Sequence, residues 1–334
     1  MKMEKKNQQM AIVAIVILVI IVAGAYYYTN MDNTPTGPTT TQKTTPTMAP
    51  TETQTGKPTP TETPTTTTSP TTSTTPTSPA SNVPTGLSGS LTVAGSTTVL
   101  PLNQEWARIL MEANPDLRIS VSGGGSGHGV RAAGVGEIDV GAASRDVASI
   151  EIGNYPDIVP VAVAKDSIVI IVHPSNAITD ISMEDIAKIY SGQITNFKQL
   201  GGPDMKINVY TREEGSGTRG SFEELVLIPQ AVSKIIGEAS VKPSNGEMRA
   251  SVAGNEAGFA YISLGYVDQT VKALTIDGVQ PTLANVKSGT YPINRNLYLI
   301  TKGESEGLEK VFIEFALTDK GQKVVEDGGF ITVK

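Results

Sequence analysis

Short runs of β-branched and aliphatic residues recur along the later part of the chain. Among them are Leu91 to Ala94, Arg118 to Ser122, Ser167 to Val172, Ile207 to Tyr210 and Asn296 to Ile300. Each has the length of a strand. Between them the apolar positions switch to helical spacing. Leu102, Trp106, Ile109 and Leu110 share one face, and so do Ile181, Ile186, Ile189 and Tyr190. Strands alternating with helices predict an α/β architecture with mainly parallel sheets. The run from Pro160 to Pro174 is too continuous for a short edge strand, and it predicts a buried strand passing from one lobe into another. Trp106, at helical spacing, is expected in the core.

Two earlier segments break this pattern. Lys2, Lys5 and Lys6 precede an apolar run from Ala11 to Ala25 that Tyr26, Tyr27 and Tyr28 extend. The run is slightly short of the ~20 residues that span a hydrocarbon core. Lysines before it and aromatics after it fit a membrane anchor with the remainder of the chain outside the cell. A cleaved signal peptide is the rival reading, with small residues at Ala23, Gly24 and Ala25. From Thr34 to Pro79, Thr supplies 23 of the 46 residues and Pro 10, which leaves almost nothing apolar to bury. Such a tract is expected to form an extended, disordered stalk. The chain thus divides into an anchor or signal segment at 1–30, a stalk at 31–87 and a globular region at 88–334.

Composition removes several classes of function. The chain has no cysteine and only two histidines, His128 and His173, so disulfides and the usual metal sites are not expected. A net charge of −7 argues against a nucleic-acid partner. It does not argue against an anion, because the local field at a site decides that.

Four segments rich in Ser, Thr and Gly stand at strand-to-helix junctions. They are Ala94-Gly95-Ser96-Thr97-Thr98, Ser122-Gly123-Gly124-Gly125-Ser126-Gly127-His128-Gly129, Gly141-Ala142-Ala143-Ser144-Arg145-Asp146 and Arg212-Glu213-Glu214-Gly215-Ser216-Gly217-Thr218. Each presents free N–H groups at a helix start, where the dipole favours an anion. Hydroxyls add neutral donors, and Arg145 and Arg212 add charged ones. One such junction is an ordinary N-cap. Four together fit a small tetrahedral oxyanion, whose oxygens accept from many donors at once.

Other chemistry fits poorly. Gly215 to Gly220 match G-x-G-x-x-G after a strand, but no second strand with its acidic residue follows near Glu238. Ser126, His128 and Asp146 could suggest a hydrolytic triad, yet Ser126 is not in G-x-S-x-G and His128 lies only two residues away. No enzymatic activity and no cofactor are expected.

At these residues the sequence resembles the phosphate-binding proteins of high-affinity phosphate ABC importers. The resemblance runs from about Leu91 to the C-terminus, and its most specific piece is Arg212-x-x-Gly215-Ser216-Gly217-Thr218. Gly258-Phe259-Ala260-Tyr261 and Tyr291-Pro292-Ile293-Asn294-Arg295 also agree. It implies a two-lobed substrate-binding fold with a cleft between the lobes. Lobe one would be about 88–165 and 284–334, and lobe two about 166–283. It further implies phosphate as ligand, permease subunits of an ABC importer as partners, and a set of donors: Thr97, Thr98, Ser126, Ser144, Arg145, Arg212, Ser216, Gly217 and Thr218. Some members place an Asp at the third segment to accept the ligand's proton. Here Arg145 stands there, which leaves Asp146 and Glu214 as candidate acceptors. Sulfate or molybdate is the alternative ligand, and a phosphate-binding surface protein uncoupled from transport is the alternative role.

Overall fold

The computed structural model describes residues 83–334. The anchor or signal segment at 1–30 and the stalk as far as residue 82 lie outside the described residues. Packing is in place from Val83, ahead of the expected start at Ser88. Val83 and Leu87 lie against the apolar core of the first lobe. The Asn114 side chain accepts from Leu87 N (2.9 Å) and donates to Pro84 O (2.9 Å).

Strands and helices alternate as β1 (Gly89–Gly95), α1 (Leu100–Ala113), β2 (Leu117–Gly124), α2 (Ser126–Val135), β3 (Val140–Ala143), α3 (Ser149–Asn154) and β4 (Ile158–Val172). There follow β5 (Asp180–Ile181), α4 (Met183–Tyr190), β6 (Asn208–Arg212), α5 (Gly217–Phe222), β7 (Ser240–Lys242), α6 (Asn245–Ala253) and β8 (Gly258–Ser263). The last elements are β9 (Lys272–Ala273), β10 (Thr275–Ile276), α7 (Leu283–Lys287), β11 (Asn294–Lys302), α8 (Gly307–Leu317) and α9 (Asp319–Asp327).

One sheet runs through the described region in the order β2-β1-β3-β11-β4-β8-β6-β7, with β9 also on β4. Its outer parts are parallel, as the alternation with helices requires: β1 with β2 and β3, and β6 with β7 and β8. Its middle is antiparallel, because β4 and β11 cross between lobes in opposite directions. The first part of β4, Ile158 to Ser167, pairs with β11, and Ile168 to Val172 pair with β8. This is the crossing strand expected from the unbroken apolar run.

The two larger apolar cores lie on either side of that crossing. The first gathers Leu91, Val93, Trp106, Leu110, Leu297, Phe312 and Phe315. Trp106 is fully buried, donates to Gly321 O (2.9 Å) and meets the Phe312 ring edge-on. The second gathers Ile168 to Val172 with Tyr190, Phe222, Phe259 and Tyr261. Phe222 stacks on Tyr261 with ring centroids 4.0 Å apart. Val286, Tyr291 and Ile293 belong to this second core. The chain therefore returns to the first lobe nearer Asn294 than the expected Ala284.

Candidate functional site

All four predicted junctions reach the seam between the lobes, and the sheet order explains why. β1, β2 and β3 are adjacent and parallel, so the turns that follow them emerge at one end. β6 delivers the fourth junction from the other lobe.

After β1, Ser96 Oγ accepts from Thr98 N (3.1 Å) and so ties the turn. Thr97 and Thr98 are buried, and Thr97 Oγ1 has no hydrogen-bond partner. Gly95 carries a φ of +135°, and a Cβ there would lie 2.3 Å from Ala142 O, so only glycine lets β1 end this close to β3. After β2, Ser126 opens α2 with its hydroxyl buried. Ser126 Oγ accepts from Ser144 N (3.0 Å) and lies 3.4 Å from Ser144 Oγ, which joins the second and third junctions.

From the second lobe, Arg212 is almost wholly buried at the end of β6. Its Nε and Nη2 grip Glu213 (2.9 and 2.8 Å) and also donate to Lys242 O and Pro243 O (3.1 and 3.2 Å), whereas Nη1 has no partner. The strand behind it is fixed by Tyr261, whose hydroxyl accepts from Arg212 N (3.2 Å) and bonds Thr211 Oγ1 (2.8 Å). Burial pushes that phenol up to about 12, so it stays protonated. Ser216 caps α5 through Arg219 N (3.3 Å), which leaves Gly217 and Thr218 in its first turn.

The lobes meet at these groups. Thr98 Oγ1 and Thr218 Oγ1 are 3.1 Å apart, Gly127 N donates to Gly215 O (2.9 Å), and Ser221 Oγ donates to Ser144 O (3.3 Å). Tyr266 donates its hydroxyl to Thr97 O. Thr98, Ser126, Ser144, Gly217 and Thr218 thus form one contiguous buried cluster, with Thr97, Arg212 and Ser216 flanking it.

Arg145 stands differently. Its fork is closed on Glu151 of α3 (2.7 Å for both bonds), and its Cδ lies beside Gly220. It lines a rim cleft of about 240 Å³ with Glu214, Arg219 and Glu223. Neither candidate acceptor bonds the buried hydroxyls. Asp146 accepts from Tyr298 Oη (2.6 Å), and Glu214 is exposed on the rim. The acid gripped by Arg212 is Glu213.

Reasoning from the sequence missed three residues. Asn245 donates to Thr98 Oγ1 (2.9 Å) from the first turn of α6. Its junction, Pro243-Ser244-Asn245-Gly246, has the same character as the other four and was open to the same reading. Arg295 on β11 donates to Thr98 Oγ1 (3.2 Å) and pairs with Asp166 (2.7 Å), all buried. Asp166 interrupts the apolar run of β4, and a lone acid inside a buried strand signals a partner. Burial pushes the Arg295 guanidinium below its ordinary value while Asp166 opposes that shift. Arg295 Nη1 has no partner.

Known proteins resemble this chain in sequence and fold. The PBP superfamily domain model matches residues 37–320. Phosphate-binding protein PstS of Bacillus subtilis is 36% identical over 248 residues, covering 74% of this chain and 81% of the relative. A substrate-binding protein assigned to phosphate ABC transport in Clostridium perfringens, solved with bound phosphate, superposes with a TM-score of 0.70 at 35% identity. That match covers 74% of this chain and all of the other. An ABC-type phosphate transport receptor from Vibrio cholerae gives 0.61 at 32% identity, covering 73% of this chain and 100% of that one. The chain belongs to the PBP superfamily and, within it, to the PstS-type phosphate-binding proteins.

Proposed function

We propose that this protein captures inorganic phosphate outside the cytoplasm and delivers it to the membrane permease of an ABC-type importer, with no catalytic step of its own. The observation that carries the reading is a surplus of buried donors at the seam. Buried polar groups are nearly always paired. Here Thr97 Oγ1, Arg212 Nη1 and Arg295 Nη1 lack partners beside the hydroxyls of Thr98, Ser126, Ser144 and Thr218. A compact acceptor-rich anion satisfies such a set. In this reading Thr97, Ser126 and Ser144 contact phosphate from the first lobe, with Thr98 bonded to Thr218 beside them, and Arg212, Ser216, Gly217 and Thr218 contact it from the second. Arg145, paired with Glu151, stands at the rim of this set.

Relatives named as phosphate-binding proteins support the ligand. The order of basic, apolar and aromatic residues before a Thr/Pro tract supports an extracellular domain on a tethered stalk. Among the described residues no helix is long and apolar enough to cross a membrane. The apolar run at Ala11 to Ala25 lies outside them. Titration calorimetry of the purified protein with phosphate, sulfate, arsenate and molybdate tests the reading. Tight binding of phosphate with sulfate excluded is expected, and a preference for sulfate or molybdate would refute it.

A further inference from the structure

The seam holds a closed circuit of hydrogen bonds that links both crossing strands to both lobes. Asp166 Oδ2 accepts from Arg295 Nε and Nη2 (3.0 and 2.7 Å). Arg295 Nη2 also donates to Thr98 Oγ1 (3.2 Å), and Asn245 Nδ2 donates to the same oxygen (2.9 Å). Asn245 Oδ1 accepts from Ser263 N (3.2 Å), and Ser263 Oγ donates to Asp166 Oδ1 (2.9 Å), which closes the ring. All five residues are buried.

The direction of each bond follows from what the groups can do. A guanidinium only donates. The backbone N–H of Ser263 must donate, so the Asn245 atom facing it is the carbonyl oxygen, and the amide nitrogen faces Thr98. Both lone pairs of Thr98 Oγ1 are therefore filled. Its single proton has one acceptor within reach, Thr218 Oγ1 at 3.1 Å. Thr218 then accepts from Thr98, and its own proton is left to donate elsewhere.

We propose that Asn245 and Arg295 are positioning residues for anion binding. By filling the lone pairs of Thr98 they commit its proton to Thr218, and so turn the Thr218 hydroxyl into a fixed donor toward an anion oxygen. This rests on the reading of the seam as an oxyanion site. A free threonine hydroxyl is ambivalent and accepts from a protonated oxygen as readily as it donates. The wired one has spent one lone pair on Thr98 and keeps its proton for an anion oxygen. Thr98 belongs to the first lobe, whereas Asn245 and Thr218 belong to the second, so the donor is oriented only when the lobes meet.

A circuit that served packing alone would change stability without linking Asn245 to Thr218 in affinity, since the circuit gives them no bond to each other. A double-mutant cycle separates the two. Phosphate affinity is measured by calorimetry on the full chain for wild type, Asn245→Ala, Thr218→Val and the double variant, with melting curves alongside. Each single change is expected to weaken binding by about tenfold or more, and the double variant to match Thr218→Val within about twofold. Losses that simply multiply would overturn the relay. Asn245→Ser serves the same cycle should Asn245→Ala melt below the assay temperature. If wild type binds sulfate and not phosphate, the phosphate reading falls and the cycle is read with sulfate instead. Multiplying losses with whichever anion binds still overturn the relay.

Discussion

Gly217→Ala isolates lobe closure from chemistry, because it adds one methyl group and removes no donor. Gly217 does not adopt a positive φ, so glycine is needed here for room alone. The added Cβ would lie 2.2 Å from Ser126 Oγ, 2.6 Å from Ser144 Oγ and 3.0 Å from Ser126 Cβ, all across the seam. Turning the Ser126 hydroxyl away would break its bond from Ser144 N and still leave the Cβ contact. Relief that keeps this bond requires the lobes to part by roughly 1 Å. Thr98 and Thr218, now 3.1 Å apart, would then lie beyond hydrogen-bonding range, as would Gly127 N and Gly215 O. An anion held from both sides would lose at least two charge-assisted bonds, about 3–6 kcal/mol in all, or roughly a hundredfold to ten-thousandfold in affinity. The separated lobes carry no such clash, so melting without phosphate should stay near that of wild type. Calorimetry gives the affinity, and small-angle scattering shows whether phosphate still compacts the protein. A Gly217→Ala protein that binds phosphate within threefold of wild type would refute this geometry of closure.

Arg212→Ala should weaken phosphate binding by about tenfold to a hundredfold, since a buried charged donor is lost. It also strips donors from Lys242 O and Pro243 O, so affinity should be compared well below the melting point. Asp146→Asn and Glu214→Gln should leave the preference for phosphate over sulfate within about threefold, because Tyr298 holds the first and the second faces solvent. A tenfold narrowing by either would make it the proton acceptor. Protease added to intact cells should release a soluble fragment of the size of the globular region, and protection of that region until lysis would place it inside.

Much of this was legible because the seam is built from local signals. Each of the four junctions joins a strand to a helix, and β1 pairs in parallel with both β2 and β3, so the first three turns gather at one end. Asp166 and Arg295 were harder to read. They lie far apart in the sequence and meet only because β4 and β11 pair with Arg295 directly opposite Asp166. Arg145 shows the converse. Its place in the third junction suggested a ligand, but Glu151, six residues on at the start of α3, captures its fork. A motif fixes where a side chain starts, and a neighbouring carboxylate can still decide where it ends. The return of the chain was misplaced by about ten residues because Val286, Tyr291 and Ile293 are short-spaced apolar residues whose core cannot be told from sequence alone.

The same pairing bears on how the anion is held. Four arginines stand in or beside the seam, and each has its own carboxylate: Arg212 with Glu213 (2.8 Å), Arg295 with Asp166 (2.7 Å), Arg145 with Glu151 (2.7 Å) and Arg219 with Glu223 (2.8 Å). An arriving anion therefore meets oriented donors more than net positive charge. Salt screens long-range attraction over a Debye length of about 10 Å at ~0.1 M, but it barely reaches short bonds inside a closed cleft. Phosphate affinity should thus change by less than about threefold between ~0.05 M and ~0.5 M sodium chloride. A fall of tenfold or more over that range would mean that a pair opens when the anion arrives and frees its arginine. Arg145 on the rim is the first to suspect, and Glu151→Gln, which neutralises its partner, should then raise affinity at low salt and steepen the salt dependence.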